Sequence, residues 1–196
     1  MAKKSKFPTW VFVVGGILVV ILMIGMWIGG TYNSLVGMDE GVRNAWGNVQ
    51  SAYQRRADLV PNLVATVKAY SDYEGDVLTE ITNARASVGK AQTPAELASA
   101  GQELNSALAR LLVVVENYPN LKANQNYLDL QVQLEGTENR IKVERDAYNA
   151  AVKNFNVKVR RFPSNIIAGM FGFAQKEYFE AAEGSEEAPD VGNLFE

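Results

Sequence analysis

The sequence contains no cysteine and no histidine among its 196 residues. The first absence excludes disulfides, thiolate nucleophiles and cysteine-bearing zinc sites. The second excludes an imidazole base, an axial haem ligand and the one side chain whose ordinary pKa lies near neutrality. Any catalysis would fall to carboxylates, Lys, Tyr or Ser. Six prolines and 16 glycines without a period exclude collagen-like and low-complexity chains. No Walker A loop, GxGxxG, EF-hand loop or GxSxG motif is present. Basic charge is also scarce beyond the N-terminus. With Lys3, Lys4 and Lys6 set aside, 16 basic residues stand against 22 acidic ones, a formal −6 over residues 31–196. No basic patch stands out, so nucleic acid is not an expected partner. No cofactor and no metal are expected either, and the protein is read as a non-enzyme.

What is present is a long apolar run. From Trp10 to Gly30 the chain reads WVFVVGGILVVILMIGMWIGG, 21 residues without a charge. As a helix it spans about 30 Å, the thickness of a bilayer's hydrocarbon core. Lys3, Lys4 and Lys6 precede it, whereas the first basic residue after it is Arg43. This asymmetry predicts a single-pass protein with residues 1–9 in the cytoplasm and residues 31–196 outside it. Trp10 at one end, and Trp27 with Tyr32 at the other, suit the interfacial aromatic belts. A cleaved signal peptide is the alternative, but the run exceeds the roughly 7–15 apolar residues of such a peptide. Gly25 and Gly29 form a GxxxG spacing that would let two anchors pack, though such spacing is common by chance in glycine-rich membrane helices; a homo-oligomer is the expected state.

The remainder reads as all-α. Val42, Trp46, Val49, Tyr53, Val60, Leu63 or Val64, and Val67 follow helical steps, as do Leu97, Leu104, Leu108, Leu111 and Val115. Leu128, Leu134, Ile141, Tyr148, Val152, Phe155 and Val159 approach a heptad, as in a coiled coil. Thr93-Pro94-Ala95-Glu96 is a capping box with Pro at the first helical position. Tyr118-Pro119 and Phe162-Pro163 close the helices before them. The expected elements are a linker at Tyr32–Met38, helices near 39–88, 94–117 and 121–161, and a short apolar piece at 164–173. Continuity of the first helix through residues 70–75 is left open. Together they predict an N-terminal transmembrane helix (10–30) followed by an elongated antiparallel up-down-up bundle (31–173). Seven of the twenty residues from Glu177 to Glu196 are acidic and none is basic, so 174–196 reads as a solvated, disordered tail.

Four constellations invite a functional reading. Pro61 lies inside the first stripe, where it frees the carbonyl of Ala57; Arg55, Arg56, Asp58 and Asn62 flank it, as a locally satisfied kink or a recognition notch. Glu135, Glu138, Asn139 and Arg145 cluster on one helix, but Glu138 and Lys142 already make a favourable i,i+4 pair, so register-fixing contacts are expected over catalysis. Tyr118, Tyr127, Tyr148 and Asn149 could stack a ligand, though aromatics at helical spacing are usually core. Ile166, Ile167, Met170, Phe171 and Phe173 follow Arg160 and Arg161. They suggest an amphipathic membrane-surface piece or, because an up-down-up path ends away from the anchor, a plug on the distal end of the bundle.

Several segments in combination, RRADLVPNLV (55–64), ITNARASV (81–88), ENYPNLKANQNYLDLQVQLEGTENRI (116–141), YNAAVKNFN (148–156) and RRFPSNIIAGMFGF (160–173), closely resemble the LemA family. The resemblance runs from about Tyr32 to Phe173. It implies a bacterial single-pass membrane protein with an extracytoplasmic helical bundle, associated with membrane organisation and, by gene context, with membrane stress proteases. It supplies no catalytic residue. Two functions are therefore expected candidates: a membrane-anchored scaffold or adaptor that self-associates or binds an envelope protein, and a ligand- or stress-sensing module that regulates a membrane protease.

Overall fold

A computed structural model describes residues 9–69 and 76–180. Among these residues there are six helices and no strand: α1 (Thr9–Lys68), α2 (Asp76–Lys90), α3 (Pro94–Val115), α4 (Pro119–Lys122), α5 (Gln125–Arg160) and α6 (Ser164–Met170). The three N-terminal lysines, residues 70–75 and the acidic stretch 181–196 lie outside the described residues.

The expected linker at Tyr32–Met38 does not exist: α1 passes through it as helix. The segment contains no proline, and Gly37 weakens a helix by only about 1 kcal/mol relative to Ala. Against that, Thr31, Leu35, Asp39 and Val42 recur at steps of four, four and three and are all buried, so packing of one face outweighs the glycine. Asp39 is neutralised there by Arg43 Nε at 3.0 Å and Lys176 Nζ at 2.8 Å.

Two compact units share α1 and α5. The first takes α1 up to Arg43 together with Ala151–Lys176, and the second takes Asn44–Ala150 and the chain from Glu177. The first unit's core is Leu35, Val42, Val152, Phe155, Ile167 and Ala168. In the second, the buried residues are Val49, Tyr53, Val60, Leu63 and Val67 of α1, Ile81 of α2, the Leu97–Val115 stripe of α3, and Tyr127, Leu130, Ile141 and Tyr148 of α5.

The second unit is an antiparallel bundle. Arg85 of α2 reaches Asp58 of α1, Arg110 of α3 reaches Glu80 of α2, and α5 meets α1 through both Arg56–Glu138 and Trp46–Tyr148. The stretch 39–88 holds the end of α1 and all of α2, and the continuity left open at residues 70–75 lies outside the described residues. Thr93 and Glu96 form the anticipated capping box, with Glu96 N donating to Thr93 Oγ1 at 3.2 Å and Thr93 N donating to Glu96 Oε2 at 3.3 Å.

On α5 the buried positions are Tyr127, Leu130, Thr137, Ile141, Glu144, Tyr148, Val152, Phe155 and Asn156. With half-buried Leu134 they alternate steps of three and four up to Tyr148, a heptad seam. Leu128, expected in that seam, falls one place off it and is exposed. Thr137 and Glu144 hid the repeat because they are polar. The Thr137 hydroxyl donates to Leu134 O at 2.7 Å, and Glu144 pairs with Arg140 at 2.6 Å.

Candidate functional site

The anchor candidates lie on the apolar part of α1. Trp10 and Trp27 are exposed, and a Cβ placed on Gly25 or Gly29 would meet nothing within 4 Å. Apart from half-buried Ile28, residues 10–30 are exposed in this chain, as expected of a surface made for lipid or for another helix. By length and composition α1 contains a segment able to cross a membrane.

Around Pro61 the helix is continuous, and the repair comes from another element. The Ala57 carbonyl that Pro61 leaves without a donor accepts a hydrogen bond from Arg85 Nε of α2 at 3.1 Å, and Arg85 Nη2 stands 3.7 Å from Asp58. Asp58 also accepts from Gln54 Nε2 at 2.8 Å. Asn62 and Arg55 are exposed and take no part in satisfying that carbonyl. Arg56 turns the other way and pairs with Glu138 of α5. The expected Glu138–Lys142 pair is thus replaced by an ion pair between helices, which ties Glu138 to α1 instead of to its own helix.

The acidic and aromatic sets are dispersed to separate tasks. Among the described residues no group of three or more acidic side chains converges as a metal site would require. Tyr127 accepts from Gln131 Nε2 at 3.0 Å, Tyr118 precedes α4, and Tyr148 and Asn149 hold the segment that follows α6.

That segment, residues 174–180, was assigned to the solvated tail by its acidity, yet it packs. In the first unit Asn156 Nδ2 donates to Lys176 O at 2.9 Å while its Oδ1 accepts from Lys176 N at 2.8 Å. In the second unit Asn149 does the same with Phe179, at 3.0 and 2.9 Å. Each amide satisfies both backbone groups of one residue, as a neighbouring strand would. Tyr148 donates to Glu177 O at 3.0 Å and Arg145 Nη2 to Glu180 O at 2.9 Å. The Phe179 ring is buried 5.4 Å from Tyr148 and 5.8 Å from Trp46, with the Arg145 guanidinium 5.0 Å above it. The signal that could have found this strap is Asn149 and Asn156, one heptad apart inside a helix where asparagine is a poor helix former.

Beside the strap a cleft of about 1040 Å³ opens, lined among others by Tyr53, Arg56, Gly101, Glu138 and Arg145. Arg56 Nε is buried there without a hydrogen-bond partner. Burial raises the Tyr53 phenol above its usual pKa, with Arg145 and Arg56 nearby opposing the rise. The same burial raises Tyr148, to which the Glu177 carboxylate adds. Gly101 is required by close approach: a Cβ on it would overlap the Tyr53 ring.

The apolar cluster is not at the distal end. In the first unit Phe171 lies 4.7 Å and Phe173 5.9 Å from Tyr32, two residues past the end of the apolar run. The expectation of a distal plug is corrected by these ring contacts, which pack the residues after α6 on α1 within one unit. Ile167 is buried, while Ile166, Met170 and Phe171 are exposed.

A family model described as the LemA family matches residues 45–192. The magnetosome protein MamQ 2 of Paramagnetospirillum magneticum is 26% identical over 191 residues, covering 84% of this chain and 70% of that protein. Protein LemA of Metamycoplasma hominis is 28% identical over 198 residues, covering 97% and 89% respectively. Neither name states a reaction.

Proposed function

The chain belongs to the LemA family, and from that premise we propose that it is a non-enzymatic, single-pass membrane protein whose bundle serves as a scaffold or adaptor outside the cytoplasm. The observation that carries this reading is the unbroken α1, whose apolar start is long enough to cross a bilayer and whose later turns form the bundle core. In the first unit the apolar run continues directly into the turns of α1 that bury Thr31, Leu35, Asp39 and Val42, which suits a protein that presents a surface next to its anchor. The polar groups of the cleft support the same reading, since Arg56 is bound to Glu138 and Arg145 to the strap.

The orientation is N-terminus inside, from Lys3, Lys4 and Lys6. The partners are the bilayer, a second copy through Gly25 and Gly29, and an envelope protein such as a membrane protease. Extraction of the full-length protein into nanodiscs after in-cell crosslinking tests this. A dimer or larger complex that dissociates on Gly25→Leu with Gly29→Leu is expected. A monomer that brings down no partner overturns it.

A second reading, a ligand-sensing module, is favoured by the cleft and its buried Arg56 Nε. It predicts that Arg56→Met abolishes signalling to a partner while the bundle stays folded by circular dichroism.

A further inference from the structure

Phe162, Ile166 and Met170 recur every four residues along the turn from α5 into α6, and they are 76%, 51% and 71% exposed; Phe171 beside them is 51% exposed. On the opposite side Ser164, Ile167 and Ala168 are buried, and the single proton of the Ser164 hydroxyl is shared between Lys158 O at 2.6 Å and Arg161 O at 2.7 Å, which fixes the turn. Single exposed apolar side chains are ordinary, but four large ones in ten residues form a patch that calls for a cover. Lys158, Arg160 and Arg161 border it, and among the described residues none of the three has an ion-pair partner.

The location identifies the cover. Phe171 and Phe173 sit on the Tyr32 ring, two residues past Gly30, where the apolar run of α1 ends. A chain anchored by that run holds Tyr32 at the headgroup level, and the patch in contact with Tyr32 is held there too. We propose that the α5–α6 elbow is a second membrane contact, with Phe162, Ile166, Met170 and Phe171 entering the interface of the leaflet from which α1 emerges and Lys158, Arg160 and Arg161 meeting anionic lipid headgroups. This rests on the reading of α1 as a retained anchor. An apolar face flanked by basic residues is the composition of an interfacial segment, and basic side chains near an anionic surface each add attraction that salt weakens. The second contact would limit the tilt of α1, because the protein then meets the bilayer at two places.

The absence of cysteine makes the test clean. Single-cysteine variants Leu18→Cys, Ile166→Cys, Met170→Cys and Val132→Cys of the full chain carry a nitroxide in nanodiscs of phosphatidylcholine with phosphatidylglycerol. Accessibility to oxygen and to a water-soluble nickel chelate is read for each. Labels at 18, 166 and 170 are expected to favour oxygen, and the label at 132, on an exposed face of α5, to favour nickel. Arg160→Glu with Arg161→Glu should return the label at 170 toward water. Nickel-accessible labels at 166 and 170 beside an oxygen-accessible label at 18 overturn the elbow contact and leave the anchor standing. A nickel-accessible label at 18 overturns the anchor and the elbow with it. Labels at 166 and 170 shielded from both reagents place them against protein, a second copy for example, and overturn the lipid contact.

Discussion

Pro61 sits in the middle of α1 without ending it because Arg85 supplies the donor the proline lacks. An unsatisfied buried carbonyl costs about 1–3 kcal/mol, so Arg85→Ala is expected to destabilise the bundle by roughly that amount. Pro61→Ala restores the helical hydrogen bond, and in that background the same Arg85→Ala should cost visibly less; equal losses in the two backgrounds, by urea denaturation, would dismiss the repair. The buried phenols make a second prediction. Tyr53, Tyr127 and Tyr148 all have raised pKa values, chiefly from burial. The folded state therefore holds these protons more tightly than the unfolded chain does. The stability they contribute is complete below the ordinary phenol value of about 10 and is lost as pH rises through the raised values. Thermal unfolding is expected at lower temperature above about pH 10, with a shallower fall in Tyr148→Phe; a midpoint indifferent to pH in that range contradicts it. At this scale the sequence shows the need but not the supplier. Pro61 declares a free carbonyl, while Arg85 lies 28 residues from Ala57 and is brought there only by the pairing of α2 with α1.

Helices were legible wherever burial and periodicity coincide. The α3 stripe and its Thr93–Glu96 cap stand where the sequence places them, because an apolar face and its cap are local properties. The α5 seam was only partly legible, since Thr137 and Glu144 occupy core positions and draw their partners from their own helix. The contact between α1 and α3 was not legible at all, because it depends on the missing Cβ of Gly101 against Tyr53. Overpacking a tight core costs about 1–3 kcal/mol, so Gly101→Leu should lower stability by that order. Adding Tyr53→Ala should recover part of the loss; no recovery would show that the two residues do not share the space. At Tyr32–Met38 a glycine-bearing, mixed sequence resembles a linker, and only the burial of Thr31, Leu35 and Asp39 explains the helix. Ser34→Pro should break this continuity and appear as faster amide exchange on either side of it, without unfolding the second unit.

For the molecule as a whole, the path of the chain decides what its parts can do. Within the first unit the residues that follow α6 pack on Tyr32 of α1. The strap ends that path. Asn149→Ala with Asn156→Ala removes four hydrogen bonds to residues 176 and 179, each worth about 0.5–1.5 kcal/mol net. Expected are rapid amide exchange at those two residues and quenching of Trp46 by solvent, since Phe179 would leave its ring. Unchanged protection would mean that the aromatic cluster alone holds the strap.

The sequence by itself determined the long apolar run, the helical class, the capped start of α3 and the lack of imidazole and thiol chemistry. All of these follow from residue type and from spacing along one segment. The tertiary structure decided the repair of Pro61, the capture of residues 174–180 and the place of the α6 apolar face. Each joins groups far apart in the chain, and neither composition nor periodicity records which distant side chain will supply a donor, a clamp or a neighbouring ring.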